Sequence, residues 1–157
     1  MTDFENLHDT IDNDLLLWYL GSLEKNSEHP LGAAIVSYAE KTISHDKMLE
    51  KPFEEPKSFV ALTGKGVSCV LSEEKTKVAI GNRGFAAIKG WTINNEAEKI
   101  LISLELNGKT AVIAAINDVV TAIIGISDEI RVTSKATIKI LMDEGIDVWM
   151  VTGDNVS

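Results

Sequence analysis

Two segments near the start of the chain carry apolar residues at helical spacing. The first begins after Asp12 or Asn13, either of which is a plausible N-cap. Its apolar positions recur at i, i+3, i+4 and i+7: Leu16, Tyr19, Leu20 and Leu23. The second follows Pro30, a favoured first helical residue, and repeats the spacing at Leu31, Ala34, Ile35 and Tyr38. The pattern predicts two helices and no ordered element before Asp12.

The middle of the chain has the composition of short β-strands. The runs are Phe59 to Leu62, Val67 to Leu71 and Lys77 to Ile80, with "TGKG" between the first two and "GNRG" after the third. Links this short predict antiparallel pairing. The preceding stretch from Ser44 to Ser58 has two prolines and no periodicity, so we expect a loop there.

A third helix is expected from Asn95 to Leu106, ending at Asn107-Gly108. The apolar runs "TAVIAAI" and "VVTAIIGI" then flank Asn117-Asp118, which predicts a hairpin. We therefore expect residues 1–121 to form an α+β domain, an antiparallel sheet flanked by helices.

The last part of the chain has a different pattern. A helix is predicted from Ser134 to Glu144, with Gly145 as its stop, and Val148 to Val151 reads as a buried strand. Val119 to Val151 thus resembles one strand-helix-strand unit, of the kind that builds parallel sheets. Residues 122–157 are expected to be a partial α/β unit, because the sequence stops where a strand should lead into a helix.

Composition and charge narrow the possible functions. Of 157 residues, 45% are hydrophobic and 25% are charged, which suits a soluble globular chain. The net charge of -9 disfavours nucleic acid and anionic membranes as partners. The single cysteine, Cys69, permits no internal disulfide, and His8, His45 and Cys69 have no metal-ligand spacing, so no metal site is expected.

The connection between the first two helices, "SEHPLG", carries candidate chemistry. Proline holds His29 extended just outside the second helix, and Glu24 should lie nearby in the last turn of the first. A carboxylate can accept from an exocyclic amine, and an imidazole can stack on a heterocycle, so the pair could bind a purine. On local pattern alone, a simple helix start with a solvated glutamate is the commoner explanation.

The glycines of "TGKG" and the asparagine of "IGNRG" are further candidates. Gly64 and Gly66 could let a backbone approach a ligand closely, and the Asn82 amide could reach a ribose or phosphate. Ordinary turns explain all three equally well. The spacing matches neither a dinucleotide fingerprint nor a P-loop, and no catalytic triad is evident.

In this order, however, the motifs resemble a known family. Glu24 five residues before His29, then "TGKG", "IGNR" and "SDEIR…DEGIDVWMVTGDN", are similar to the cytoplasmic part of heavy-metal-transporting P-type ATPases, most of all the copper-transporting branch. The resemblance runs from about Leu15 to Asn155. It implies an antiparallel nucleotide-binding domain inserted in an α/β phosphorylation domain.

The resemblance also implies roles for individual residues. Glu24 and His29 would contact the adenine of ATP, Gly64 and Gly66 would line the nucleotide cleft, and Asn82 would lie near the ribose or phosphates.

Near the end of the chain, Thr152, Gly153 and Asp154 match the motif that lies near the phosphate-accepting site of the full enzyme. Asp128 matches an aspartate at the junction with the phosphorylation domain.

The printed sequence lacks the family's "DKTGT", "GDGxND" and "CPC" motifs. The resemblance therefore implies a soluble, monomeric fragment without the catalytic nucleophile, which binds ATP, with Mg²⁺ accompanying the nucleotide in the parent enzyme. Its partners would be the phosphorylation and actuator domains of a membrane-embedded parent, on the cytosolic face. A zinc, cadmium or cobalt pump, a non-catalytic interaction module and a stand-alone phosphatase are the alternatives.

Overall fold

A six-stranded antiparallel sheet lies between two layers of helices in the computed structural model, which describes residues 2–8, 11–71, 75–127 and 132–149. The strands of these residues are β1 (Thr2–Asn6), β2 (Lys57–Leu62), β3 (Gly66–Leu71), β4 (Thr76–Gly81), β5 (Thr110–Ile116) and β6 (Val119–Ile126). The helices are α1 (Asn13–Glu24), α2 (Pro30–Thr42), α3 (His45–Glu50), α4 (Arg83–Lys89), α5 (Asn95–Leu106) and α6 (Val132–Asp143). The strand order is β1-β6-β5-β4-β3-β2, which confirms the predicted antiparallel α+β fold.

Alternation along the central strands builds a hydrophobic core on each face of the sheet. Val112 and Ala114 of β5 pack with α1 and α2, whereas Ile113 and Ala115 pack with α4 and α5. Both faces are apolar because both are covered by helices, which explains the nearly continuous apolar runs of β5 and β6.

Local signals place the main elements where the sequence predicts them. Asp12 caps α1 by accepting from the Asp14 amide, and Pro30 opens α2. Asn117 and Asp118 both have positive φ, 50° and 65°, as a tight two-residue hairpin turn requires. The predicted helices α1, α2 and α5 and the β5–β6 hairpin are therefore confirmed.

Three short elements were missed by the sequence analysis. The region before Asp12 contains β1, which pairs with β6 at the sheet edge through Phe4 and Ile124, among other positions. The expected loop from Ser44 to Ser58 contains α3, and α4 follows Asn82 directly. Short elements such as these depend on tertiary pairing more than on periodicity, because they show too few repeats to be recognised.

The predicted helix after Ser134 is confirmed as α6, and Gly145 follows it with φ of 77°. The predicted boundary after Thr121, in contrast, falls inside β6, which continues in antiparallel register to Ile126. Val119 to Ile126 therefore belongs to the antiparallel sheet rather than to a parallel unit, while the division into two domains stays a prediction. Of the predicted strand Val148 to Val151, the described residues Val148 and Trp149 are not in a strand, and the rest lies outside the described residues.

Within the described ranges, none of the helices has the length and apolar character needed to cross a bilayer.

Candidate functional site

Glu24 is a buried carboxylate at the last residue of α1. The residue is only 6% exposed. The first turn of α2 lies against its carboxylate at Gly32, and the segment after α3 packs along α1, where the Ser22 hydroxyl accepts from the Glu54 amide at 3.1 Å. Burial raises the pKa of Glu24 above its ordinary value, while a hydrogen bond from Ser27 and the nearby charge of His29 act in the opposite direction. The solvated glutamate expected from local pattern alone is therefore wrong.

His29 has the extended conformation that Pro30 imposes, with φ of -78° and ψ of 134°. Its Nδ1 accepts from the Leu31 amide at 3.2 Å and so caps α2. Because Nδ1 is the acceptor, the neutral ring carries its proton on Nε2, and the exposed ring can donate from that nitrogen. The connection between α1 and α2 thus places an acceptor, Glu24, and a donor, His29, side by side.

The turn between β2 and β3 is fixed by Asn82. The Asn82 side chain donates to the Gly64 carbonyl at 2.9 Å and accepts from the Phe85 amide at 3.0 Å, and its backbone amide donates to the Lys65 carbonyl at 2.8 Å. Gly64 has φ of 70°, and a Cβ there would meet no atom within 4 Å. The turn is therefore held rigidly and its glycine faces open space.

Gly66 has a different environment from Gly64. A Cβ on Gly66 would lie 2.6 Å from the Gly81 Cα and 2.8 Å from the Phe85 ring, and it would also overlap the Ile80 carbonyl oxygen. Close packing of β3 against β4 and α4 is enough to explain this glycine. Whether it also lines a cleft stays a prediction.

Strand β3 runs from the neighbourhood of Glu24 to the β2–β3 turn. Val67 and Cys69 face α1 and α2, and Cys69 lies close enough to Glu24 and Glu54 to feel their charge. Burial, followed by these two carboxylates, raises the pKa of Cys69 to about 12. From Cys69 to Gly66 the strand advances roughly 10 Å. The buried carboxyl, near Cys69, and the open turn that precedes Gly66 therefore lie along the same strand.

Arg83, one basic side chain near this turn, is already paired. Arg83 follows Asn82 and forms ion pairs with Glu98, at 2.9 Å, and with Glu105. These bonds, chiefly the one to Glu105, raise the pKa of Arg83. The described residues also contain no group of three or more histidine, cysteine or acidic side chains that could hold a metal ion.

A cavity of about 330 Å³ lies near the β5–β6 turn, at the opposite end of the sheet from Gly64. Of its polar lining, Asp118 pairs with Lys77 at 3.1 Å, the Asn94 side chain caps α5, and His8 Nε2 lies 3.1 Å from the Val120 carbonyl oxygen. It contains none of the predicted site residues.

The structure brings Glu24 and His29 together, and Gly64 and Asn82 together. Sequence reasoning missed Ser27 and Gly32, although both belong to the "SEHPLG" motif that it singled out.

Four further predicted residues, Asp128, Thr152, Gly153 and Asp154, lie outside the described residues.

The chain matches known proteins over its full length. The model of a hydrolase family, the haloacid dehalogenase-like hydrolases, matches residues 1–157. A copper-transporting ATPase of Oryza sativa subsp. japonica is 36% identical over 137 residues, which is 87% of this chain and 13% of the relative. A copper-exporting P-type ATPase of Staphylococcus aureus (strain MRSA252) is 36% identical over 143 residues, 91% of this chain and 17% of the relative. The chain thus spans less than a fifth of the curated relatives it matches.

Solved structures of P-type ATPases also match the chain. A zinc-transporting PIB-type ATPase in the E2.Pi state matches 98% of this chain and 23% of its own, with 26% identity and a TM-score of 0.62. The N-domain of a copper-transporting P-type ATPase matches 80% of this chain and 97% of its own, with a TM-score of 0.57 and 20% identity, which speaks for the fold alone.

Proposed function

The chain belongs to the haloacid dehalogenase-like hydrolases, and within that family we propose that it is the ATP-binding part of a heavy-metal-translocating P-type ATPase. The resemblance to heavy-metal P-type ATPases is confirmed by relatives and solved structures that carry that name. We further propose that the chain binds ATP and that this binding serves ATP-driven transport in the parent pump.

The observation that carries the proposal is the pairing of Glu24 with His29. A buried acceptor beside an exposed ring donor suits a heterocycle that has both an exocyclic amine and ring nitrogens. Adenine has these groups, so we assign adenine to this pair and the phosphates to the side of Gly64 and Asn82.

ATP affinity in the isolated chain should be modest. Arg83, beside the turn, is occupied by two carboxylates, which leaves the exposed Lys65 of the turn near the phosphate side in a chain of net charge -9. We therefore expect most of the binding energy to come from the adenine end. We expect ATP, ADP and AMP to bind within roughly an order of magnitude, about 1.4 kcal/mol, of one another. Mg²⁺ would arrive with the nucleotide phosphates, because the described residues offer no acidic cluster to hold it.

In the parent pump, the domain would present ATP to the phosphorylatable aspartate of the adjoining domain. The γ-phosphate transfer would rest on positioning by domain closure and on Mg²⁺. Thr152, Gly153 and Asp154 would lie near that aspartate. The partners would be the phosphorylation and actuator domains of the same chain, on the cytosolic face of the membrane that holds the pump.

We favour copper as the transported ion, since the two curated relatives above are named for copper. A zinc or cadmium pump is the alternative, since a zinc-transporting ATPase shares the fold. Transport assays on the full-length parent decide between them.

Calorimetric titration with ATP and GTP tests the proposal. ATP should bind and GTP should bind at least about tenfold more weakly, because the 6-oxo group of guanine places an acceptor against the Glu24 carboxylate. The His29→Gln substitution should weaken ATP binding. Equal affinity for ATP and GTP, or unchanged ATP binding by His29→Gln, would contradict the adenine-binding role. The absence of amide shifts in Glu24, His29, Gly64 and Gly66 at millimolar ATP would favour a non-catalytic module.

A further inference from the structure

Ser27 connects Glu24 to His29 through two hydrogen bonds and the position of its hydroxyl. Its backbone amide donates to the Glu24 carbonyl at 2.8 Å, and its hydroxyl oxygen accepts from the His29 amide at 3.3 Å. The same hydroxyl lies close to the Glu24 carboxylate, since a Cβ placed on Gly32 would overlap Ser27 Oγ and lie 2.5 Å from Glu24 Oε2. This neighbour lowers the pKa of Glu24, against the effect of burial. The side chain of Ser27 therefore fixes the direction of the carboxylate relative to the histidine.

Gly32 leaves the space in which that carboxylate lies. A Cβ at Gly32 would be 2.5 Å from Glu24 Oε2 and 2.6 Å from the Ser27 Cβ. Such distances are far inside van der Waals contact, so the carboxylate rests directly on the first turn of α2. The positive end of the helix dipole at that turn favours a negative charge there.

The direction of a carboxylate decides which purine it accepts. A glutamate has several rotatable bonds, and the neighbouring Ser27 side chain together with the first turn of α2 restricts them. An ionised carboxylate can only accept, so it favours the exocyclic amine of adenine and disfavours the carbonyl of a 6-oxopurine. A carboxylate that is free to turn away would lose both preferences.

We propose that Ser27 and Gly32 are positioning residues for purine selection, with Ser27 aiming the Glu24 carboxylate and Gly32 providing the space it needs. This inference rests on the proposed adenine role of Glu24. It assigns the selectivity for the 6-amino group to two residues beyond the pair that contacts the base.

The test compares ATP with inosine triphosphate, which differs in carrying a 6-oxo group. In the unaltered chain, calorimetry should show ATP binding more tightly than inosine triphosphate. In Ser27→Ala, ATP affinity should fall about fivefold to tenfold while inosine triphosphate affinity changes less than about twofold. Ser27→Thr, which keeps the hydroxyl, should restore the preference for ATP. Gly32→Ala should lose the preference as Ser27→Ala does.

Ser37→Ala is the matched control, because Ser37 lies on α2 with similar partial exposure. It should leave both affinities unchanged, and thermal melting should show that every variant is folded. If Ser27→Ala weakens both nucleotides equally, or neither, the positioning role is wrong even though ATP binding stands. If the unaltered chain binds both nucleotides equally, the adenine role of Glu24 and the positioning role both fail.

Discussion

Glu24 illustrates how a buried carboxylate can reduce stability. Its carboxyl is taken out of water, and the hydrogen bond from Ser27 and the charge of His29 offset only part of that cost, since the pKa remains raised. A glutamate exposed on the surface would keep its hydration and avoid this loss of stability. On the proposed adenine role of Glu24, it would also discriminate less between purines. The burial of Glu24 therefore lowers the free energy of unfolding at neutral pH.

Replacing Glu24 by glutamine should stabilise the chain at pH 7. A raised pKa means that the stability contributed by the protonated carboxyl is complete below 4.5 and is lost as the pH rises through the folded-state pKa. Glu24→Gln removes this loss and should raise the free energy of unfolding at pH 7 by about 1 kcal/mol. Urea denaturation across pH 4 to 8 measures it, and the gain should shrink as the pH falls.

Glu28→Gln is the control for this prediction, since Glu28 lies four residues away and is exposed. It should change the free energy of unfolding little at any pH. A destabilised Glu24→Gln variant at pH 7, or a gain that does not depend on pH, would contradict the burial argument.

At the scale of elements, helix α4 and the β2–β3 turn act as one unit. Both ends of the Asn82 amide are engaged, one with the first turn of α4 and the other with the Gly64 carbonyl. A cap that also holds a turn can transmit a change in helix stability to the geometry of the site. Because Asn82 forms both bonds, different substitutions of Asn82 can separate the effect on the free energy of unfolding from the effect on ATP affinity.

Asn82→Ala removes both bonds, whereas Asn82→Asp keeps the capping oxygen but replaces the donor to Gly64 with a carboxylate oxygen that faces the Gly64 carbonyl. The alanine variant should lower the free energy of unfolding by about 1 kcal/mol, and the aspartate variant by less. ATP affinity should fall more in the aspartate variant, because its charge repels the phosphates. Urea denaturation and calorimetric titration measure the two effects.

Asn94 supplies the control, because it caps α5 in the same way, accepting from the Ala97 amide at 2.8 Å, near the other end of the sheet. Asn94→Ala should cost similar stability without changing ATP affinity. Equal ATP binding by the alanine and aspartate variants of Asn82 would argue against phosphates near that side chain.

At the scale of the whole molecule, the sequence predicts what depends on local repetition. The spacing of Leu16, Leu20 and Leu23 is enough for α1, and Asn117-Asp118 is enough for the hairpin. The packing of Gly66 could not be predicted, because its neighbours Gly81 and Phe85 become adjacent only when β3 pairs with β4. In the candidate site, too, local features could be predicted and features that depend on tertiary packing could not.

Within the site, the extended His29 before Pro30 is a local effect and was predicted correctly. The burial of Glu24 was not predicted, since it depends on how α2 packs against the end of α1, with Gly32 facing the carboxylate. Strand β1 was missed for a similar reason, because the sequence "TDFEN" has little strand character until it pairs with β6.

Helices α5 and α6 provide a final comparison, since each has 12 residues. Ala97, Leu101 and Leu104 of α5 are buried against the sheet, whereas the described side chains of α6 are mostly exposed, including Ile140 and Met142. An isolated helix of this length is marginal in water without such packing. We therefore expect α6 amides to exchange with solvent hydrogen at least about 100-fold faster than α5 amides. Native-state hydrogen exchange followed by NMR measures both, and equal protection would show that α6 is stabilised by contacts with other parts of the chain.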